Sequence, residues 1–344
     1  MRVAVLGTGA LGCLLTATLQ PRNTVVMAGR WAAQLEAIAK HGLTIIAPDG
    51  GRRTLRVATT SRLETLSGNA DVVLIAVKST ATDQAAHDAA VILGAGGGLV
   101  VTLQNGLGNL EQFQELVGQE RATAAVTAQG ATLLGPATVR HAGHGLTTIG
   151  LSPDLSPEAA SLVQQLCEVF MEAGWACQVS ADLNRLVWTK LAVNAAINPL
   201  TALLAVPNGA LLAEPGLVAL MDAAAREVAA VARAQSISLD GDEAAARAQQ
   251  VARNTAANTS SMLQDMQRGA PTEIDAICGA VVAIAKVWGV AVPVNEQLLA
   301  LVRQQEQAYQ PRTVASLLAL LNGPCPPSRP SNETEDNDDR NRQH

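Results

Sequence analysis

Short apolar runs alternate with amphipathic stretches through the first half of the chain, and long helical periodicities fill the second half. Residues 3–6 read as a strand, and Leu11, Leu14, Leu15, Thr18 and Leu19 follow at i, i+3, i+4, i+7 and i+8, one face of a helix. Strands are expected at 23–29, 43–47 and 54–58, the last two flanking the turn at 48–51, with a helix over 31–40. Residues 72–77 are continuously apolar, as a parallel strand covered on both faces requires. A helix over 80–93, a strand over 99–103, a helix over 112–117 and strands over 122–127 and 137–149 continue the alternation. This β-α-β order predicts an α/β domain with a doubly wound, mostly parallel sheet over residues 1–180. Past Ser156 the pattern turns helical, with helices expected over 158–173, 183–204, 217–235, 242–266, 273–288 and 294–309. An all-α domain is therefore expected over 181–320. The Pro-, Asn-, Asp- and Arg-rich tail, 321–344, is expected to be disordered.

Composition narrows the class. A chain of 344 residues exceeds one ordinary core, so two domains are the natural division. With 48% hydrophobic residues, a net charge of −6 and no basic run, neither nucleic acid nor an anionic membrane is an expected partner. No apolar stretch reaches membrane-spanning length, and the chain enters a strand at once, so neither a membrane span nor a signal peptide is expected. Cys13, Cys167, Cys177, Cys278 and Cys325 are odd in number and lack metal-ligand spacing, which suits a reduced, cytoplasmic protein. Four Trp, two Phe and one Tyr leave the core to Ala, Leu and Val. His141 and His144 form no convincing ligand set, and no metal is expected.

Candidate chemistry begins at the first strand. Gly7, Gly9 and Gly12 have G-x-G-x-x-G spacing between a strand and a helix, the context in which this motif binds a dinucleotide pyrophosphate. The turn Gly7, Thr8, Gly9, Ala10, Leu11, Gly12 then points free helix N–H groups at the phosphates. Near the second strand, where an NAD site would carry an acid about 20 residues on, the chain reads Ala28-Gly29-Arg30-Trp31. Arg30 suits a 2′-phosphate and hence NADPH; a solvated surface arginine is the alternative. Lys78 and Asn105 each follow a buried strand, at the carboxyl edge where open α/β sheets bind ligands. A snorkelling lysine and a plain Asn-Gly turn are the bland readings of these two.

In the helical half, Lys190, Asn194 and Asn198 stand at i, i+4 and i+8 among apolar neighbours, a polar row suited to a cleft. Lysine there can lose charge by desolvation and serve as a proton donor; a solvated stripe is the alternative. Pro199 withdraws a backbone donor beside Asn198, so a kink is expected there. Ser261 lies in a helix ended by Gly269 and Pro271, and Thr272 is placed to cap a new helix, with Glu273 in its first turn.

These stretches together resemble the ketopantoate reductase (2-dehydropantoate 2-reductase) family, from residue 1 to about 310. The resemblance rests on the glycine fingerprint, LQNGLGN, KLAVNAAINPLTAL followed by Val206-Pro207-Asn208-Gly209, and SSMLQDM with TEID. It implies an N-terminal Rossmann domain, a helical C-terminal domain and NADPH-dependent reduction of 2-dehydropantoate to (R)-pantoate, toward pantothenate and coenzyme A. It further implies Lys190 as proton donor, Asn194, Asn198, Asn208 and Ser261 as substrate contacts, and Asn105 reaching both substrate and cofactor. Lys78, Ala131 and Glu273 join the fingerprint loop and Arg30 as cofactor contacts. The tail and the scarcity of aromatics depart from the family pattern. Rival readings are a related NADP-dependent reductase of another 2-oxo acid or an alcohol, and a non-catalytic NADPH-binding sensor. A small 2-oxo acid is the expected partner, and a homodimer is left open.

Overall fold

A computed structural model describes residues 1–321. The expectation for the tail falls outside these residues, except that Leu321 closes the last described helix. The first strand, β1 (Arg2–Leu6), leads through a glycine turn into α1 (Ala10–Leu19) and β2 (Thr24–Ala28). After α2 (Ala32–His41) come β3 (Leu43–Ile46), β4 (Arg52–Leu55) and β5 (Ala58–Thr60). Then follow β6 (Val72–Ile75), α3 (Thr82–Leu93), β7 (Leu99–Thr102), α4 (Asn109–Val117) and β8 (Ala122–Thr127). Next are β9 (Gly130–Gly135), β10 (Thr138–Gly143), β11 (Thr147–Gly150), α5 (Pro157–Glu172) and β12 (Cys177–Ser180).

Eight of these strands make one sheet in the order β12-β11-β8-β7-β6-β1-β2-β5, with only the β8–β11 pair antiparallel. Alternation along β1 divides its core: Val3 and Val5 pack on the face covered by Leu14, Leu15 and Phe170, while Ala4 and Leu6 pack with Ile92 and Phe113. The strand expected over 54–58 divides in two. The β4 part pairs antiparallel with β3 in a separate four-stranded sheet, β4-β3-β10-β9, whereas β5 joins the main sheet beside β2. The alternation of Leu55 and Val57 suits a strand in either sheet; the pairing partner decides.

The remaining helices are α6 (Leu183–Leu204), α7 (Pro215–Ala234), α8 (Gly241–Asn254), α9 (Ser261–Gln267), α10 (Ala280–Trp288), α11 (Pro293–Gln307) and α12 (Val314–Leu321). Their core is alanine-rich: Ala195, Ala196, Ala224, Ala225, Ala229 and Ala248 are all fully buried, and small side chains let helices approach closely where aromatics are few. The single helix expected over 242–266 is broken between α8 and α9. Gly209 N–H donates to Ala256 O at 3.1 Å and Asn208 N–H to Asn258 O at 3.0 Å, drawing those carbonyls out of a helical ladder. Ser260 Oγ then accepts from Leu263 N–H at 3.2 Å and starts α9 afresh. No helix of the described residues is long and apolar enough to cross a membrane.

Candidate active site

A cleft of about 680 Å³ runs between the carboxyl edge of the large sheet and the helices α6, α8 and α9. Its first wall is the fingerprint loop. Gly12 packs so tightly on the turn that a Cβ there would stand 1.9 Å from Gly7 O, whereas a Cβ on Gly9 would meet nothing within 4 Å and would point into free space. The start of α1 carries no side-chain cap and no acidic residue in its first turn, so its amides remain available to an anion. Gly7, Thr8, Gly9, Ala10 and Leu11 line the cleft; Gly12 supports them from behind. A dinucleotide pyrophosphate fits such a loop.

Two residues sit in surroundings the sequence did not suggest. Arg30 is not in the cleft wall: its guanidinium grips Asp88 of α3 bidentately, with Nη2 2.6 Å from Oδ1, because Asp88 is almost fully buried and needs a counter-ion. Its neighbour Trp31 lines the cleft instead. Glu273 is not in the first turn of a helix but just before one, since the chain enters a π-turn at Asp275–Gly279. Thr272 Oγ1 accepts from Ile274 N–H at 3.2 Å, and Asp275 takes Arg303 Nε at 2.8 Å.

That shift gives Glu273 a different occupation. Its carboxylate, 5% exposed, accepts from Ser79 N–H at 3.2 Å and from Asn105 Nδ2 at 2.8 Å, and lies 3.7 Å from Lys78 Nζ. Lys78 Nζ also donates to Asp265 Oδ2 at 2.7 Å, and Arg268 Nη2 stands 3.3 Å from Asp265 Oδ1. Strand-end residues of the first domain are thus tied to two buried carboxylates of the second. Burial pushes the Asp265 carboxyl above its ordinary range, and Lys78 pulls it back. The LQNGLGN loop completes the junction. Gly106 has φ +87° and a Cβ on it would lie 2.3 Å from Ala276 O, while Leu107 N–H donates to that same carbonyl at 3.0 Å. Only glycine lets the loop close on the π-turn.

The polar row of α6 faces this junction. The helix runs through Pro199 to Leu204, and Lys190, Asn194 and Asn198 all line the cleft, with Asn208, Ser261, Asn105, Lys78, Ala131 and Glu273 around them. Lys190 is enclosed enough that burial lowers its ammonium to about 8, although Glu273 acts in the opposite sense. Ser260 and Ser261 divide their labour: Ser260 caps α9 and meets Thr201 Oγ1 at 2.7 Å, leaving Ser261 at the cleft surface. Asn208 Nδ2 donates to Thr255 Oγ1 at 2.9 Å, and its Oδ1 has no partner. Asp265, Arg268, Asn258 and Thr255 also line the cleft and were not singled out from sequence. The signal available for Asp265 was its i+4 spacing from Ser261; Asn258 and Thr255 enter only because α8 breaks there.

Comparison with known proteins agrees with this geometry. The family model described as ketopantoate reductase PanE/ApbA matches residues 3–154, and the C-terminal model of the same name matches residues 182–306. The 2-dehydropantoate 2-reductase of Halobacterium salinarum is 38% identical over 304 residues, 88% of this chain and 98% of that protein. That of Pyrococcus horikoshii is 34% identical over 309 residues, 89% of this chain and 98% of the other. The crystal structure of a PanE/ApbA family ketopantoate reductase from Ralstonia eutropha JMP134 superposes with a TM-score of 0.79 at 32% identity, covering 89% of this chain and 99% of that one. With both domains matched in order and relatives aligned almost end to end, the chain belongs to the ketopantoate reductase family.

Proposed function

We propose that this chain reduces 2-dehydropantoate to (R)-pantoate with NADPH, a step toward pantothenate and coenzyme A. The observation that carries the reading is the placement of Lys190, Asn194, Asn198 and Ser261 on one cleft whose other wall is the fingerprint loop. NADPH would lie along Gly7 to Leu11 and toward Lys78 and Asn105, and when bound it supplies the hydride. Lys190 gives the proton: as charge develops on the substrate's ketone oxygen, its ammonium stabilises that charge and protonates it. An ammonium brought to about 8 by burial is charged at neutral pH yet gives up its proton more readily than an exposed lysine. The Ser261 hydroxyl suits the substrate carboxylate, and the amides of Asn194 and Asn198 suit its hydroxyl, each able to donate and accept. Asn105, held by Glu273, orients the reacting groups. A sensor that only binds NADPH would have no use for an enclosed lysine in this row.

The reading extends to setting. Four cysteines, Cys13, Cys167, Cys177 and Cys278, are buried and free, which suits the reduced cytoplasm. A homodimer would have the exposed Val287 and Trp288 of α10 to cover, and sedimentation velocity reads the oligomeric state directly. The deciding experiment follows NADPH oxidation with 2-dehydropantoate beside a panel of 2-oxo acids, with chiral analysis of the product. Faster turnover of another 2-oxo acid would move the substrate assignment, and no turnover of any would end the reductase reading.

A further inference from the structure

Lys190 borders two cavities. The second, about 90 Å³, lies along the first two turns of α6, between Leu183, Asn184, Val187 and Trp188 on one side and the 102–111 segment with β8 on the other. Asn105 and Lys190 are the two residues that line both this cavity and the substrate cleft. Its outer rim is exposed at Gly108, Glu111 and Asn184, whereas Thr102, Ala125, Trp188 and Leu191 are buried deeper along it. One water needs roughly 10–15 Å³ of such space and two to four polar partners. Several therefore fit, with the Asn105 carboxamide oxygen, the Glu111 carboxylate and the Asn184 carboxamide along the wall to hold them.

Reduction of a ketone consumes one proton per turnover, and Lys190 cannot give a second until it has regained the first. From the cleft side, product and dinucleotide, when bound along the residues that line it, would stand between the lysine and solvent. We propose that the second cavity is a proton entry, a file of water running from the surface at Asn184 and Glu111 to Lys190 Nζ, which restores the ammonium while product still occupies the cleft. This rests on the reductase reading above. As an Nζ–H bond breaks and the product O–H bond forms, the freed lone pair of Nζ takes a proton from the nearest water. The O–H bond of that water breaks as its neighbour supplies a proton in turn, until bulk water or a buffer acid loses one. Nothing else is consumed. A lysine held at about 8 gains and loses a proton easily near neutral pH, which suits a relay.

The test fills the cavity without touching the cleft. Val187→Phe places a ring within the 90 Å³ space, and Asn184→Trp, at an exposed helix position, closes the rim if the first variant folds poorly. A single turnover with enzyme in excess follows NADPH absorbance and a pH-indicator dye together, using whichever 2-oxo acid the chain reduces. In the unmodified protein, proton uptake is expected to coincide with NADPH oxidation. In the filled variants oxidation keeps its rate, because Lys190 starts protonated, while proton uptake slows by on the order of tenfold or more and follows product release. Coincident signals in both variants, or a lag already present in the unmodified protein, would overturn the proposal and leave the reductase reading intact. Absence of NADPH oxidation with every 2-oxo acid would overturn both.

Discussion

Replacing Lys190 by methionine separates what the lysine does for chemistry from what it costs the fold. Methionine keeps an unbranched stem and removes the charge. Burial lowers the ammonium from 10.5 to about 8, a difference worth about 3 kcal/mol between charged and neutral forms. The sign follows from proton counting. Between about pH 8 and 10.5 the unfolded chain holds this proton and the folded chain does not, so stability rises with pH across that window. Below about pH 8 both states are protonated and the full cost remains. Lys190→Met should therefore be the more stable protein at neutral pH, by up to about 3 kcal/mol, with the advantage fading toward pH 10.5. Its kcat should nevertheless fall by roughly 10²–10⁴, the usual contribution of a positioned general acid. In the unmodified protein kcat/KM should decline above about pH 8, as the donor loses its proton. Denaturant melts at stepped pH and steady-state kinetics read the two effects. A variant with near-normal kcat, or one whose stability tracks the unmodified protein at every pH, would refute the reasoning.

Other perturbations test neighbouring parts of the argument. Asn194→Ala, Asn198→Ala and Ser261→Ala remove contacts to groups whose charge does not change during hydride transfer, so each should raise KM more than it lowers kcat. Glu273→Gln deletes a charge that holds the Lys190 ammonium up, and the falling limb of the pH profile should move to lower pH; an unmoved limb would detach Glu273 from Lys190. Gly106→Ala meets both a φ of +87° and the Ala276 carbonyl, and should cost about 1–3 kcal/mol or more in a thermal melt while depressing turnover. Arg30 is paired with Asp88 yet remains more than half exposed with donors to spare, so Arg30→Ala should erode the preference for NADPH over NADH by roughly tenfold, the scale of one charge-assisted contact of about 1.5–3 kcal/mol. Equal efficiency with both cofactors in the unmodified protein would show that the Asp88 pair keeps Arg30 from the 2′-phosphate.

Much of this protein was legible in the order of its residues, because the features concerned are local. The 2.0 and 3.6 periodicities, the glycine spacing between β1 and α1, and the i, i+4, i+8 row on α6 are properties of one element at a time, and a strand or helix displays them wherever it is placed. What tertiary structure decided involves partners distant along the chain. The split of the 54–58 segment between two sheets depends on which strand is waiting beside each half. The break between α8 and α9 comes from backbone donors at Asn208 and Gly209, some fifty residues earlier, and it exposes Thr255 and Asn258 to the cleft. Arg30 read as a free guanidinium until the buried Asp88, 58 positions away, claimed it. Asp265 and Lys78 became a pair only when two domains met across 187 residues, and the lowered proton affinity of Lys190 is a property of that enclosure. Sequence spacing selects which side chains share a face. Desolvation and pairing, which set their charge and chemistry, depend on what the fold brings against that face.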